Sequence, residues 1–150
     1  MNVTSDQLKA MRLLLVGDIG GYERIQEESS HATASSNGAL ISATFFTAAE
    51  RRFTENSSRT DVVEFVGNLR ARSDSLAADL DPRVAERLLL ATFTDEEIDD
   101  IEPEVQGRNC FLLLGGLAAE AGYSDSELDE ILAASRDLAN EWLAQANSSN

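Results

Sequence analysis

The 150-residue chain is predicted to be all-α, a single globular domain of seven or eight helices packed around a central apolar helix at about 104–121. Three observations carry that prediction. Apolar residues recur at intervals of three and four in nearly every segment, and none alternates with the period of a strand. Helix starts are marked by Ser, Thr or Asp, whose side chains accept hydrogen bonds from the free amides of a helix N-terminus. With 2 Pro, 9 Gly and 43% hydrophobic residues, the composition is that of a globular protein, and the length suits one core.

Thr4 and Gln7 form a capping-box pattern ahead of Leu8, Met11, Leu14 and Leu15, which predicts a first helix over about 5–16 that stops at Gly17. A shorter helix follows from Asp18 or Gly20 and turns Tyr22 and Ile25 inward. The small polar stretch 29–38 has no periodicity and is expected to be a flexible loop. A third helix at 39–53 aligns Ile41, Phe45, Ala49 and Phe53, with Phe46 beside them. Thr60-Asp61 opens a fourth, in which Val62, Phe65, Val66 and Leu69 make a core stripe and Arg70 and Arg72 complement the negative end of the dipole.

Asp81-Pro82 supplies an N-cap and a proline at the first helical position for a helix to about Phe93 that buries Val84, Ala85, Leu88 and Leu89. The run Thr94-Asp95-Glu96-Glu97 is a capping-box signature and predicts a short helix with Ile98, Ile101 and Val105 on its apolar side, broken at Pro103. The central helix is apolar all round from Cys110 to Ala119, its Gly115-Gly116 pair admits a close neighbour, and Gly122 ends it. Ser124 with Glu127 caps a last amphipathic helix carrying Leu128, Ile131, Leu132, Leu138, Ala139, Trp142 and Leu143, frayed from about 146.

The formal net charge is -15, and its distribution is uneven. Residues 1–75 carry 10 acids and 8 bases, net -2, whereas 76–150 carry 17 acids and 4 bases, net -13. Such a surface repels a nucleic-acid backbone and an anionic membrane, so neither is expected as a partner. The longest apolar stretch, Cys110 to Ala119, is about half of the ~20 residues that cross a bilayer, and Asp6, Lys9 and Arg12 interrupt any N-terminal secretory core. With one cysteine and no export signal, a cytoplasmic location is expected.

Catalytic and metal constellations are sparse. The lone His31 falls in the polar stretch and Cys110 in an apolar run, so neither makes a convincing nucleophile–base set. Two Cys or His residues in the whole chain are too few for a zinc site, and Gly17-Asp18-Ile19-Gly20-Gly21 lacks the Lys-Ser/Thr ending of a phosphate loop. No cofactor and no metal are therefore expected. The segment 82–102 has the layout of a helix-turn-helix, but its second helix would open on Asp95-Glu96-Glu97 and meet phosphates with like charge.

Recognition by surface remains. Between 95 and 104 seven of ten residues are acidic, and on a helix Asp95, Asp99 and Glu102 would share one stripe opposite Ile98 and Ile101. The sequence thus points to a non-enzymatic interaction module that meets a basic or polar protein through Asp95, Glu96, Asp99, Asp100 and Glu102, with Asp129, Glu130 and Asp137 of the last helix. The competing reading is a small-molecule or divalent-cation binding protein with a pocket between helices, under the 29–38 stretch beside the aromatic third helix. A homodimer through an unburied apolar face stays open.

Overall fold

Capping side chains set where the helices begin. In the computed structural model, which describes residues 2–28 and 34–148, Thr4 accepts from the Gln7 amide at 3.2 Å while the Gln7 side chain accepts from the Thr4 amide at 2.8 Å. Ser58 with Asp61 and Ser124 with Glu127 repeat the same reciprocal pair. These three boxes open α1 (Ser5–Leu15), α4 (Arg59–Arg70) and α8 (Asp125–Ser148). Asp81 caps α6 (Pro82–Leu90) through the amides of Arg83 and Val84. The remaining helices are α2 (Ile19–Glu28), α3 (Ala34–Arg52), α5 (Asp74–Asp79) and α7 (Pro103–Ala121), and the described residues contain no strand. Gly17 and Gly122 follow α1 and α7 with φ of 88° and 57°, the left-handed geometry that glycine adopts without steric cost.

The core is organised by α7 and α3. α7 packs against α3, α6 and α1, while α3 lies between α7 and α8. Leu113 and Leu114 of α7 and Leu40, Phe45 and Phe53 on the α3 side are almost wholly inaccessible. Phe53 joins three elements: its ring meets Phe65 of α4 edge-on at 5.6 Å and stacks on Phe93 beyond α6 at 6.1 Å. α4 reaches α7 where Leu69 packs onto Gly116, at a distance that leaves no room for a methyl group. Buried polar groups are tied as well. Gln7 donates to Ser36 at 2.8 Å, and Asn109 accepts from the Asp81 amide at 3.0 Å, fixing α6 to α7. The backbone amide of Val3 reaches Asn140 of α8 at 2.8 Å, so the first helix is clamped against the last.

The all-helical class and the central helix are as the sequence predicts; several boundaries are not. α3 begins at Ala34, so 34–38, expected in a loop, form its first turn and more, while 29–33, with His31, lie outside the described residues. α5 was not anticipated: it has six residues and no buried side chain, and Arg70 holds its end by donating to the carbonyls of Ala77 and Leu80. α8 continues to Ser148. The largest difference is at 95–102, which forms no helix. Thr94 does not cap a new helix; its hydroxyl donates to the Leu90 carbonyl at 2.7 Å and accepts from the Glu96 amide at 3.2 Å, turning the chain at the end of α6.

The two adjacent glycines of α7 should respond oppositely to substitution. A Cβ at Gly116 would stand 2.6 Å from a Leu69 methyl, whereas beyond the adjoining residues and backbone of its own helix nothing lies within 4 Å of one at Gly115. Gly115→Ala should raise stability by up to about 1 kcal/mol through helix propensity. Gly116→Ala incurs overpacking of about 1–3 kcal/mol that outweighs the same gain. Urea midpoints of the two variants should fall on opposite sides of the wild type.

Candidate functional site

The acidic segment 94–102 is a loop folded around a cation from the preceding helix. Arg87, near the end of α6, donates through Nε to Glu96 at 2.9 Å and through both terminal nitrogens to Asp100, at 2.9 and 2.7 Å. One of those nitrogens also reaches the Glu97 carbonyl. From the other side Gln106 of α7 donates its amide to the carbonyls of Ile98 and Ile101 at 3.0 and 2.8 Å. Ile101 is buried and Ile98 half-buried, which anchors the loop to the core. A planar guanidinium that grips two carboxylates and a carbonyl fixes geometry more firmly than a single exposed ion pair. The Arg87 hydrogen bond holds the Asp100 carboxyl below its ordinary range, and Arg87 itself is held more firmly protonated by Asp100 and Glu96.

The eight acidic residues singled out from the sequence separate into two groups. Five are paired within the chain: Glu96 and Asp100 with Arg87, Asp129 with Arg12 at 2.8 Å, Glu130 with Arg51 at 3.6 Å, and Asp137 with its neighbour Arg136 at 3.2 Å. Asp129 and Glu130 are thereby drawn toward different helices, α1 and α3. Asp95, Asp99 and Glu102 are exposed and carry no ion pair among the described residues. The stripe expected for these three does not exist, because the helix that would align them is absent. Among the described residues no three His, Cys, Asp or Glu side chains converge closely enough to hold a metal ion. The helix-turn-helix layout is lost for the same reason, since α6 is followed by this loop and not by a second helix.

Sequence reasoning missed Arg87 and Gln106, the two side chains that shape the loop. The pocket expected under 29–38 borders residues 29–33, which lie outside the described residues. Phe45 and Phe53 of the α3 side are core residues, and Phe46 packs edge-on against Trp142 of α8 at 5.8 Å. An open apolar groove lies on the side of α7 that carries Gly115. Cys110 is buried as a free thiol, and desolvation pushes its pKa up to about 12. No helix among the described residues is long and apolar enough to cross a membrane.

No protein-family model, curated protein or solved structure matches the chain.

Two outcomes follow from these environments. Asp100 has a folded pKa below its ordinary 3.8, so its bond to Arg87 contributes stability that is fully present above that pH and is lost as pH falls through the folded pKa. The difference in unfolding free energy between wild type and Arg87→Met should therefore stay constant from neutral pH down to the ordinary carboxylate range and shrink below it. The Cys110 thiol should resist alkylation in the native protein at mildly alkaline pH and react only across the unfolding transition, as read by mass spectrometry of quenched samples.

Proposed function

We propose that the chain is a non-enzymatic interaction module that captures a basic protein partner through the 94–102 loop. The observation that carries this reading is the division of labour within the loop: Glu96 and Asp100 are consumed in gripping Arg87, while Asp95, Asp99 and Glu102 stay exposed, with no ion pair among the described residues, on the segment so fixed. Anionic groups held in place before binding lose little conformational freedom when a cationic surface meets them. Their field, added to the net charge of -15, accelerates encounter with a basic partner and disfavours acidic ones. The acids of α8 that pair with Arg12 and Arg51 serve in this reading to hold helices together. The buried free thiol supports a cytoplasmic setting for the module.

The test separates the two groups of acids. A triple variant Asp95→Asn, Asp99→Asn and Glu102→Gln should lose roughly ten-fold in affinity for a basic partner recovered from the native host, mainly in association rate and mainly at low salt. Its unfolding midpoint should be unchanged. A matched triple variant Asp129→Asn, Glu130→Gln and Asp137→Asn, with the same charge change, should keep the affinity. Equal losses in both would show that only bulk charge acts and would overturn the assignment to the loop.

A further inference from the structure

The side of α7 left bare by its neighbours forms a groove of two adjoining basins, of about 430 and 360 Å³, which share Leu14, Ile19 and Gly115. The first runs along α1 and the turn after it toward Tyr123, and the second passes between Phe111 and Leu76 to the end of α4. Val16 and Ile19, large apolar side chains on the wall of the first basin, are 58% and 42% exposed. The second basin is almost wholly apolar, and Arg72 is the one charged residue that lines it. Arg72 makes no ion pair among the described residues, in a chain with 27 acids and 12 bases. Both volumes are close to or within the ~300–1,000 Å³ range of ligand clefts, which are lined mostly by apolar groups with a few polar ones that fix orientation.

Two features say what fits. Gly115 forms part of the floor, and although a glycine inside a helix costs about 1 kcal/mol, no atom of the chain occupies the space its Cβ would take. With no side chain at Gly115, which lines both basins, the groove runs unbroken from one to the other and suits an elongated occupant. The second feature is the sign of the charge at the rim. A protein drawn by the overall charge of -15 is basic and would set its cations against Arg72, and a second copy of this chain would bring another -15. A small ligand with an apolar body and a single negative head sets its charge on Arg72 and brings only one charge against the field of the chain.

We propose that this groove binds a monoanionic amphiphile of the fatty-acid type, its chain lying along α7 and its carboxylate on Arg72. From Phe111 to Ala121, where α7 ends, the helix rises about 15 Å. An extended alkyl chain advances about 1.3 Å per carbon, so a chain of about a dozen carbons spans most of that length. The site is separate from the acidic loop, and its occupancy does not depend on the partner proposed for that loop.

Calorimetric titration of the full chain with dodecanoate below its micelle concentration and with dodecanol below its solubility limit tests the proposal. Dodecanoate should saturate one site per chain, and dodecanol should bind at least ten-fold more weakly. Arg72→Gln should reduce dodecanoate to the level of the alcohol. Gly115→Met should abolish binding of both while leaving the urea midpoint unchanged or higher; if that variant does not fold, the Arg72→Gln comparison decides. Absence of saturable binding by dodecanoate, equal binding of acid and alcohol, or full retention of affinity in Arg72→Gln would each overturn the proposal.

Discussion

A helix that is apolar round its whole circumference has to be covered on every side, and most of this fold follows from how α7 is covered. α3 takes one side, α6 and α1 take others, and α4 reaches it only because Gly116 lets Leu69 sit where a methyl group would clash. Burying such side chains is the dominant favourable term in folding, at roughly 25 cal/mol per Å² of apolar surface. Eight helices of this length do not close the shell. The sector that holds Gly115, between the end of α1 and the end of α4, remains open, and the largest exposed aliphatic side chains of the first turn, Val16 and Ile19, stand along it.

Charge is arranged by a second scarcity, that of bases. Five of the arginines pair with acids of the same chain among the described residues, and Arg87 shows how one of them can set local structure. The acids at 95–104 read in the sequence as an uninterrupted anionic run. In the folded chain two of them converge on a guanidinium that lies 9 and 13 residues upstream. Arg12 and Arg51 play a comparable part for α8, drawing Asp129 and Glu130 to α1 and α3. The acidity that distinguishes the C-terminal half is thus partly structural, and the carboxylates left over are the ones that define an exposed surface.

Local signals were legible where local physics decides. Thr4 with Gln7 and Ser124 with Glu127 mark helix starts because both partners of a capping box lie within one turn. The core stripe Val62, Phe65, Val66 and Leu69 is fully buried as its spacing implies. The same signature at Thr94–Glu97 misled because the segment that follows is short, and a helix nucleus there would have to form before Pro103 restricts its predecessor. Its carbonyls found partners in Arg87 and Gln106 instead, and neither is visible from spacing. α5 went unseen because its six residues, with Leu76 the one large apolar side chain, are too few to show a helical period. The groove could not be read either: periodicity shows that α7 is apolar on all sides, but only packing shows which side stays bare. The adjacent pair Gly115-Gly116 carried a correct hint of close approach for one residue of the two.

The placement of α3 has a consequence for the order in which the chain can mature. Its two main neighbours, α7 and α8, lie far downstream, with roughly 50 residues between the end of α3 and the start of α7. Translation adds ~5 to 20 residues per second, so α3 leaves the ribosome several seconds before the surfaces that enclose it. During that interval Phe45 and Phe53 have no long-range cover, and α4, which supplies Phe65, is the first element able to shield part of them. Vectorial synthesis therefore exposes the most aromatic helix before either of its main neighbours, and the nascent chain depends on whatever keeps that helix from premature association until the last helix arrives.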